Sequence, residues 1–214
     1  MDNNVDDAMS SSKVILADSA QNCSVCLDSF VNGGDETEKC IKLSKCDHVF
    51  HPLCCRKMLE ATGKCAICQT FYVIKYGTMP YGKMTVTSIS DHALEGFPAG
   101  SGTITFTYSI PSGIQTSEQT NPGKPFTGTT RTCFLPNTAE GREALSLLET
   151  AFQRRLTFCV GTSLTTGEEN TVVWASIHHK TSMRGGSTGF GFPDDTYLER
   201  LFLELSVNGI FRKR

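Results

Sequence analysis

Apolar and polar residues alternate along Met84–Ile89 (MTVTSI) and Thr103–Tyr108 (TITFTY). Period-two runs of β-branched and aromatic residues predict strands with one buried face. Arg131–Leu135 predicts a third strand, and Leu156–Val160 and Val172–Trp174 predict two short ones. The period then changes. Ala144, Leu145, Leu148, Ala151 and Phe152 recur at helical spacing, behind Asn137 as cap and Glu140 three residues on. Leu198, Leu201, Phe202 and Leu205 form a second helical stripe. Pro193, Asp194 and Asp195 open it with acidic residues that suit a helix N-terminus, and Asn208-Gly209 closes it. Gly96–Gly102, Ile110–Phe126 and the polar Gly161–Glu168 read as loops. The pattern predicts an α+β domain over 83–214, with no βαβ rhythm and no internal repeat.

The first third of the chain has little periodicity. Residues 1–21 are rich in Asp, Asn and Ser and read as a disordered tail. Cys55–Ala61 predicts a short helix stopped by Gly63, and Val31–Glu38 a polar loop. Apolar residues continue to Tyr76, so 22–76 reads as one small module, and 77–82 as a hinge of Gly and Pro.

That small module carries its chemistry in its spacing. Cys23 and Cys26, then Cys46, His48, His51 and Cys54, then Cys65 and Cys68 form the order C-x2-C, C-x-H-x2-H-x2-C, C-x2-C. A C-x2-C turn presents two sulfurs on one side of a knuckle, and Zn²⁺ takes four such ligands tetrahedrally. Cys46-x-His48 and His51-x2-Cys54 lie too close together to be independent sites. We assign Cys23, Cys26, His51 and Cys54 to one ion, and Cys46, His48, Cys65 and Cys68 to the other. A generic zinc knuckle or a disulfide cluster is the alternative, and two histidines at ligand spacing argue against disulfides. The interleaved order resembles the cross-brace of the RING finger, with two structural zinc ions.

Composition narrows the rest. The chain has ten cysteines; six are in the ligand set and Cys40, Cys55, Cys133 and Cys159 are scattered, which fits a reducing compartment, cytoplasm or nucleus. A net charge of −2 provides no broad basic field for nucleic acid, and no apolar run reaches membrane-spanning length. The acidic start is not a secretory signal, and the basic end, Phe211–Arg214, reads as a solvated terminus.

Closed zinc sites do no catalysis; they hold loops. In RING fingers those loops and the short helix form a groove for a ubiquitin-conjugating enzyme. The resemblance places Val25, Leu27, Met58, Ala66 and Ile67 along that groove, with core packing as the plainer role for such residues. Gln69 stands where RING ligases often carry a cation that bonds the conjugating enzyme and ubiquitin.

Three further stretches extend the resemblance: Gly113–Thr116 with Asn121–Pro125 (NPGKP); Arg131-Thr132 with Phe134–Pro136; and Trp174 with Ile177–Thr181 (IHHKT) and Gly191–Asp194 (GFPD). Behind a RING finger, these are similar to the carboxy-terminal domain of the Deltex family of ubiquitin ligases. The chain reads as the shorter layout, without the WWE domains of longer members. The resemblance implies a RING-type E3 ubiquitin-protein ligase whose second domain binds ADP-ribose and NAD. Such enzymes place ubiquitin on a ribose hydroxyl of ADP-ribose, directing it to ADP-ribosylated proteins or nucleic acids, and join ADP-ribose from NAD to ubiquitin's terminal glycine. It also implies Notch-type signalling, without naming a substrate. By motif position the implied catalytic pair is His178 and Glu204, with Phe190 where a hydrogen-bonding His or Tyr is usual. Gln115, Arg131, Thr162, Ser163 and Trp174 are the implied pocket residues, and Leu164 replaces a second Ser. A carboxylate can take a proton from a ribose hydroxyl and an imidazole can position it or share the proton. A non-enzymatic ADP-ribose reader or protein-binding scaffold is the competing interpretation.

Overall fold

A computed structural model describes residues 3–16, 21–30 and 39–212, and the chain divides into two compact units at Lys75/Tyr76. Among the described residues no helix is long and apolar enough to cross a membrane.

The first unit begins with structure where disorder is expected. Helix α1 (Asn3–Ser10) and strand β1 (Lys13–Leu16) precede the cysteines. Val5 and Ala8, three residues apart on one helix face, enter the core of this unit, and Asp6 pairs with Arg56 at 2.8 Å. β1 runs antiparallel to β2 (Lys39–Lys42), which pairs in turn with β3 (Val49–Phe50). The tail's polar composition therefore misleads: two small apolar residues at the right spacing and one short edge strand suffice once a partner surface exists. Residues 1–2 and 17–20 of the expected tail, the loop 31–38 and residues 213–214 lie outside the described residues.

Helix α2 (Pro52–Thr62) starts with Pro in its first turn and ends at Gly63, whose φ of 68° is the left-handed cap. Its Met58 and Leu59 bury against Phe30, Ile41, Leu43, Phe50 and Tyr72. So small a core needs metal to persist.

In the second unit β4 (Lys83–Ser90), β5 (Thr103–Ile110) and β8 (Thr129–Pro136) form an antiparallel sheet with β5 in the middle. Two-residue strands β6 (Gly113–Ile114) and β7 (Pro125–Phe126) pair inside the long loop between β5 and β8. Ile104, Phe106, Tyr108 and Ile110 of β5 join the core with Ala144, Leu147, Leu148, Ala151 and Phe152 of α3 (Ala139–Gln153). Strands β9 (Phe158–Gly161) and β10 (Thr171–Trp174) form a separate ladder, and α4 (Tyr197–Val207) packs Leu198, Leu201 and Leu205 inward.

Three boundaries differ from expectation. The cap of α3 is Thr138, whose hydroxyl accepts from Gly141 N, while Asn137 binds Arg142. Gly141 itself is required, because a Cβ there would lie 1.8 Å from Pro136 O. Helix α4 starts at Tyr197, after Asp194 and Asp195, so Asp194 serves something other than the first turn. Residues 77–82 are no hinge: Gly77 N donates to Arg154 O, Gln119 donates to Thr78 O, and Met79 is fully buried in the second unit. A Cβ on Gly77 would meet Arg155 O at 1.9 Å, so this glycine permits close approach rather than bending.

Candidate functional site

The two knuckles of the first unit have the same backbone. Leu27 N donates to Cys23 O and Cys23 N to Asp28 O; Gln69 N donates to Cys65 O and Cys65 N to Thr70 O. In each, the residue after the second cysteine turns left-handed, Leu27 at φ 68° and Gln69 at φ 59°. Asp47, at φ 58°, turns the chain the same way between Cys46 and His48. These turns gather Cys23, Cys26, His51 and Cys54 in one group and Cys46, His48, Cys65 and Cys68 in another, with all ligand atoms in a group within 4.8 Å of one another. Cys26 Sγ lies 3.4 Å from His51 Nδ1, and His48 Nδ1 lies 3.2 Å from Cys46 Sγ and 3.5 Å from Cys65 Sγ. Bond lengths of about 2.3 Å to sulfur and about 2.0 Å to nitrogen put tetrahedral edges near 3.5 Å, so these groups fit a tetrahedral ion.

The thiols of each group depend on one another for their ionisation. Without a cation, burial and the neighbouring Cys26 and Cys23 push Cys54 up to about 12, and burial pushes Cys65 up to about 11. Three sulfurs this close ionise together only around a positive charge. The second group has added support: Tyr72 donates its hydroxyl to Cys46 Sγ at 3.2 Å, and Thr70 lies 3.1 Å from Cys68 Sγ and lowers that thiol to about 6. Among the described residues the chain thus has two Cys/His tetrads able to hold two metal ions.

Of the residues expected to meet a conjugating enzyme, Val25, Leu27, Ala66 and Ile67 are exposed on the two knuckles. Met58 is not available. It is 7% exposed, and its sulfur accepts from Ala66 N at 3.2 Å, so it holds the second knuckle against α2 from beneath. Gln69 is exposed, but its amide folds back to donate to Ala66 O. Leu53, exposed in the first turn of α2, is an apolar surface residue that the spacing argument overlooked.

In the second unit, His178 and Glu204 come together from segments 26 residues apart. His178 Nδ1 donates to Glu204 Oε1 at 2.6 Å, and His178 N donates to Glu204 Oε2 at 2.8 Å. The side chain of His178 is 80% exposed and that of Glu204 23%. Their backbone is held from within. Tyr197 donates its hydroxyl to His178 O at 3.2 Å. The buried His179 donates from Nδ1 to Ile177 O and accepts from Tyr108 at Nε2, 2.9 Å away, while Trp174 stacks on it at 4.4 Å. A carboxylate bonded to an imidazole on an open face is an arrangement able to accept and pass a proton.

The other expected pocket residues are less uniform. Trp174 is sandwiched between Phe158 and His179, which leaves it half-buried under the His178 segment. Phe190 is 65% exposed at a left-handed φ of 54°, and its carbonyl accepts from Thr181 N and Ser182 N, which joins its backbone to the end of the IHHKT segment. Arg131 is exposed on β8. Thr162 is exposed with Leu164, while Ser163 is half-buried and its hydroxyl accepts from Thr166 N. Gln115 is consumed by structure: it is 2% exposed, donates to Asn170 Oδ1 and accepts from Asn121 N, pinning the NPGKP loop. Its amide has little left for a ligand.

The sequence argument missed a buried ion pair. Lys180 and Asp194 meet at 2.6 Å with both side chains 5% exposed, and Arg200 joins Asp194 at 2.8 Å. Arg200 first, and Lys180 after it, hold the Asp194 carboxyl down to about 2 against the opposing effect of burial. The pair ties the segment carrying His178 to the turn before α4, which carries Glu204. Its signal was present, since Lys180 and Asp194 sit inside the IHHKT and GFPD motifs, but only their packing reveals that they bond to each other.

Comparison with known proteins places this architecture. Residues 76–210 match the family described as the Deltex C-terminal domain. The chain is 42% identical over 207 residues to human E3 ubiquitin-protein ligase DTX1, covering 89% of this chain and 33% of that protein. It is 46% identical over 176 residues to mouse E3 ubiquitin-protein ligase DTX4, covering 79% and 28% respectively. Against human Probable E3 ubiquitin-protein ligase DTX3 it is 40% identical over 189 residues, covering 88% and 52%. The chain thus spans between 28% and 52% of the length of these relatives.

Proposed function

The chain belongs to the Deltex family, and we propose that it is a RING-type E3 ubiquitin-protein ligase whose second unit binds ADP-ribose or NAD and directs ubiquitin to ADP-ribosylated substrates. In this reading the two Cys/His tetrads hold zinc, which fixes the knuckles and does no chemistry. Val25, Leu27, Ala66 and Ile67 supply the apolar contact for the thioester-charged conjugating enzyme.

The observation that carries the ADP-ribose part is the meeting of His178 and Glu204 at 2.6 Å on an open face, with the Phe190 ring exposed nearby in sequence. A ribose hydroxyl is a poor nucleophile until a base removes its proton, and such a pair is suited to that task. Phe190 offers a face for stacking on a ring but no hydrogen bond. The NAD-dependent linkage of ADP-ribose to ubiquitin's terminal glycine belongs to the same reading.

The competing interpretation is a scaffold that reads ADP-ribose or protein without transfer. It is favoured by Gln69, which is uncharged and turned back on Ala66 O. Two measurements decide. Calorimetry of the chain with ADP-ribose and with NAD should show saturable binding that weakens in His178→Ala. Reconstitution with activating enzyme, conjugating enzyme and ubiquitin should show discharge that is lost in Val25→Ala and Ile67→Ala. Discharge unaltered by both substitutions would remove the ligase reading, and no nucleotide binding would remove the ADP-ribose reading.

A further inference from the structure

We propose that the groove between the first turns of α3 and α4 is a docking site for an arginine side chain carried on a basic segment of a partner protein. The groove belongs wholly to the second unit, and the inference does not depend on the ADP-ribose reading.

The floor of the groove is apolar. Leu198 and Phe202 of α4 and Phe97 from the loop before β5 line a cavity of about 350 Å³. Pockets that hold small molecules run from about 300 to 1,000 Å³, so this one suits a side chain better than a nucleotide.

The rim is anionic. Glu140, Asp194, Asp195 and Glu199 line it against one cation, Arg212. Asp194 is committed to Lys180 and Arg200. The carboxylates of Asp195 and Glu199 have no hydrogen-bond or ion-pair partner among the described residues. Acidic residues at the start of a helix are ordinary by themselves, because they suit its dipole. That explanation does not account for the half-buried aromatic rings set between them.

The chain itself shows what the groove accepts. Arg212 lays its guanidinium over the Phe202 ring, 4.2 Å from the centroid. Its Nε and Nη2 donate to Glu143 Oε2 at 2.9 and 2.6 Å, and Glu140 lies 4.0 Å away. A planar, weakly hydrated guanidinium stacks on an aromatic face while its edge donates to carboxylates; a compact, strongly hydrated ammonium does so less well. Glu143 satisfies Arg212, which leaves Asp195 and Glu199 for a second guanidinium. The complementary ligand is therefore cationic, planar at its head and apolar along its stem, which describes arginine.

The same charges separate this groove from the nucleotide site. Carboxylates repel a pyrophosphate. Glu204 lies two residues beyond Phe202, about 200° around α4, so its bond to His178 is made from another face of the helix.

The test titrates acetyl-Gly-Arg-Gly-Arg-Gly-amide, and the same peptide with citrulline for arginine, into the full chain and follows amide NMR. The arginine peptide should shift Phe97 and Asp195–Phe202 saturably, and the citrulline peptide should not. Asp195→Asn combined with Glu199→Gln should weaken binding about threefold to tenfold. Phe202→Leu keeps an apolar side chain and removes the π face, and should weaken it about threefold. Arg212→Gln frees Glu143 and the Phe202 face and should tighten it about threefold. An unchanged urea midpoint of Trp174 fluorescence in each variant distinguishes loss of the site from loss of the fold. Equal binding of the two peptides, shifts confined to other residues, or binding undiminished by the Asp195/Glu199 double change overturns the proposal. Binding that appears only when Arg212, Lys213 and Arg214 are all replaced by glutamine assigns the groove to the chain's own basic end and also overturns it.

Discussion

Lowering the pH from 7.5 to 5.5 should destabilise the second unit through one buried residue, His179. Burial depresses its imidazole from 6.5 to about 4, partly opposed by its bond to Ile177 O and reinforced by the neighbouring His178. The groups around it are the Tyr108 hydroxyl, the Ile177 carbonyl and the rings of Phe106 and Trp174. A depressed folded value means that the unfolded chain takes up the proton first as pH falls. The stabilisation is therefore complete above 6.5 and is lost progressively as pH drops towards 4. At 1.36 kcal/mol per unit, the full difference is about 3 kcal/mol, of which about 1 kcal/mol is gone by pH 5.5. The assay is built in, because the chain has a single tryptophan and Trp174 stacks on His179. Urea unfolding followed by its fluorescence reports on the second unit alone. The wild-type free energy should fall by about 1 kcal/mol more between pH 7.5 and 5.5 than that of His179→Gln, which removes the titration. Equal slopes for the two proteins would refute the assignment of this pH dependence to His179.

Three more expectations follow from the packing. Asp194→Asn leaves the buried Lys180 ammonium without its counter-charge and should cost about 3–5 kcal/mol, read as a lower urea midpoint of Trp174 fluorescence. Gly77→Ala forces a Cβ against Arg155 O and should destabilise the second unit by at least about 1–3 kcal/mol, whereas a true hinge would accept alanine without change. Chelation of the metal should abolish the dispersed amide resonances of 21–75 while leaving Trp174 emission native, since the tetrads belong to the first unit and the tryptophan to the second.

The sequence alone determined the metal groups. A C-x2-C knuckle closes within six residues through backbone bonds, and the order of eight ligands leaves few ways to divide them. It also determined the main strands and helices of the second unit, because period and capping are properties of neighbours in the chain. Only the tertiary structure decided the rest. Asn3–Leu16 looks too polar to order until Val5 and Ala8 have a core to enter. Gly77–Gly82 looks flexible until Arg154 and Arg155 are brought against it. Met58 stands where a surface contact is expected, yet the second knuckle covers it. His178 and Glu204 were each nameable by motif, but which of their atoms meet depends on how α4 packs beneath the His178 segment. Lys180 and Asp194 were visible as motif letters, and only burial turned them into an ion pair. Local order is written in short-range spacing; the assignment of a proton to one nitrogen of one histidine requires contacts between segments that the chain separates.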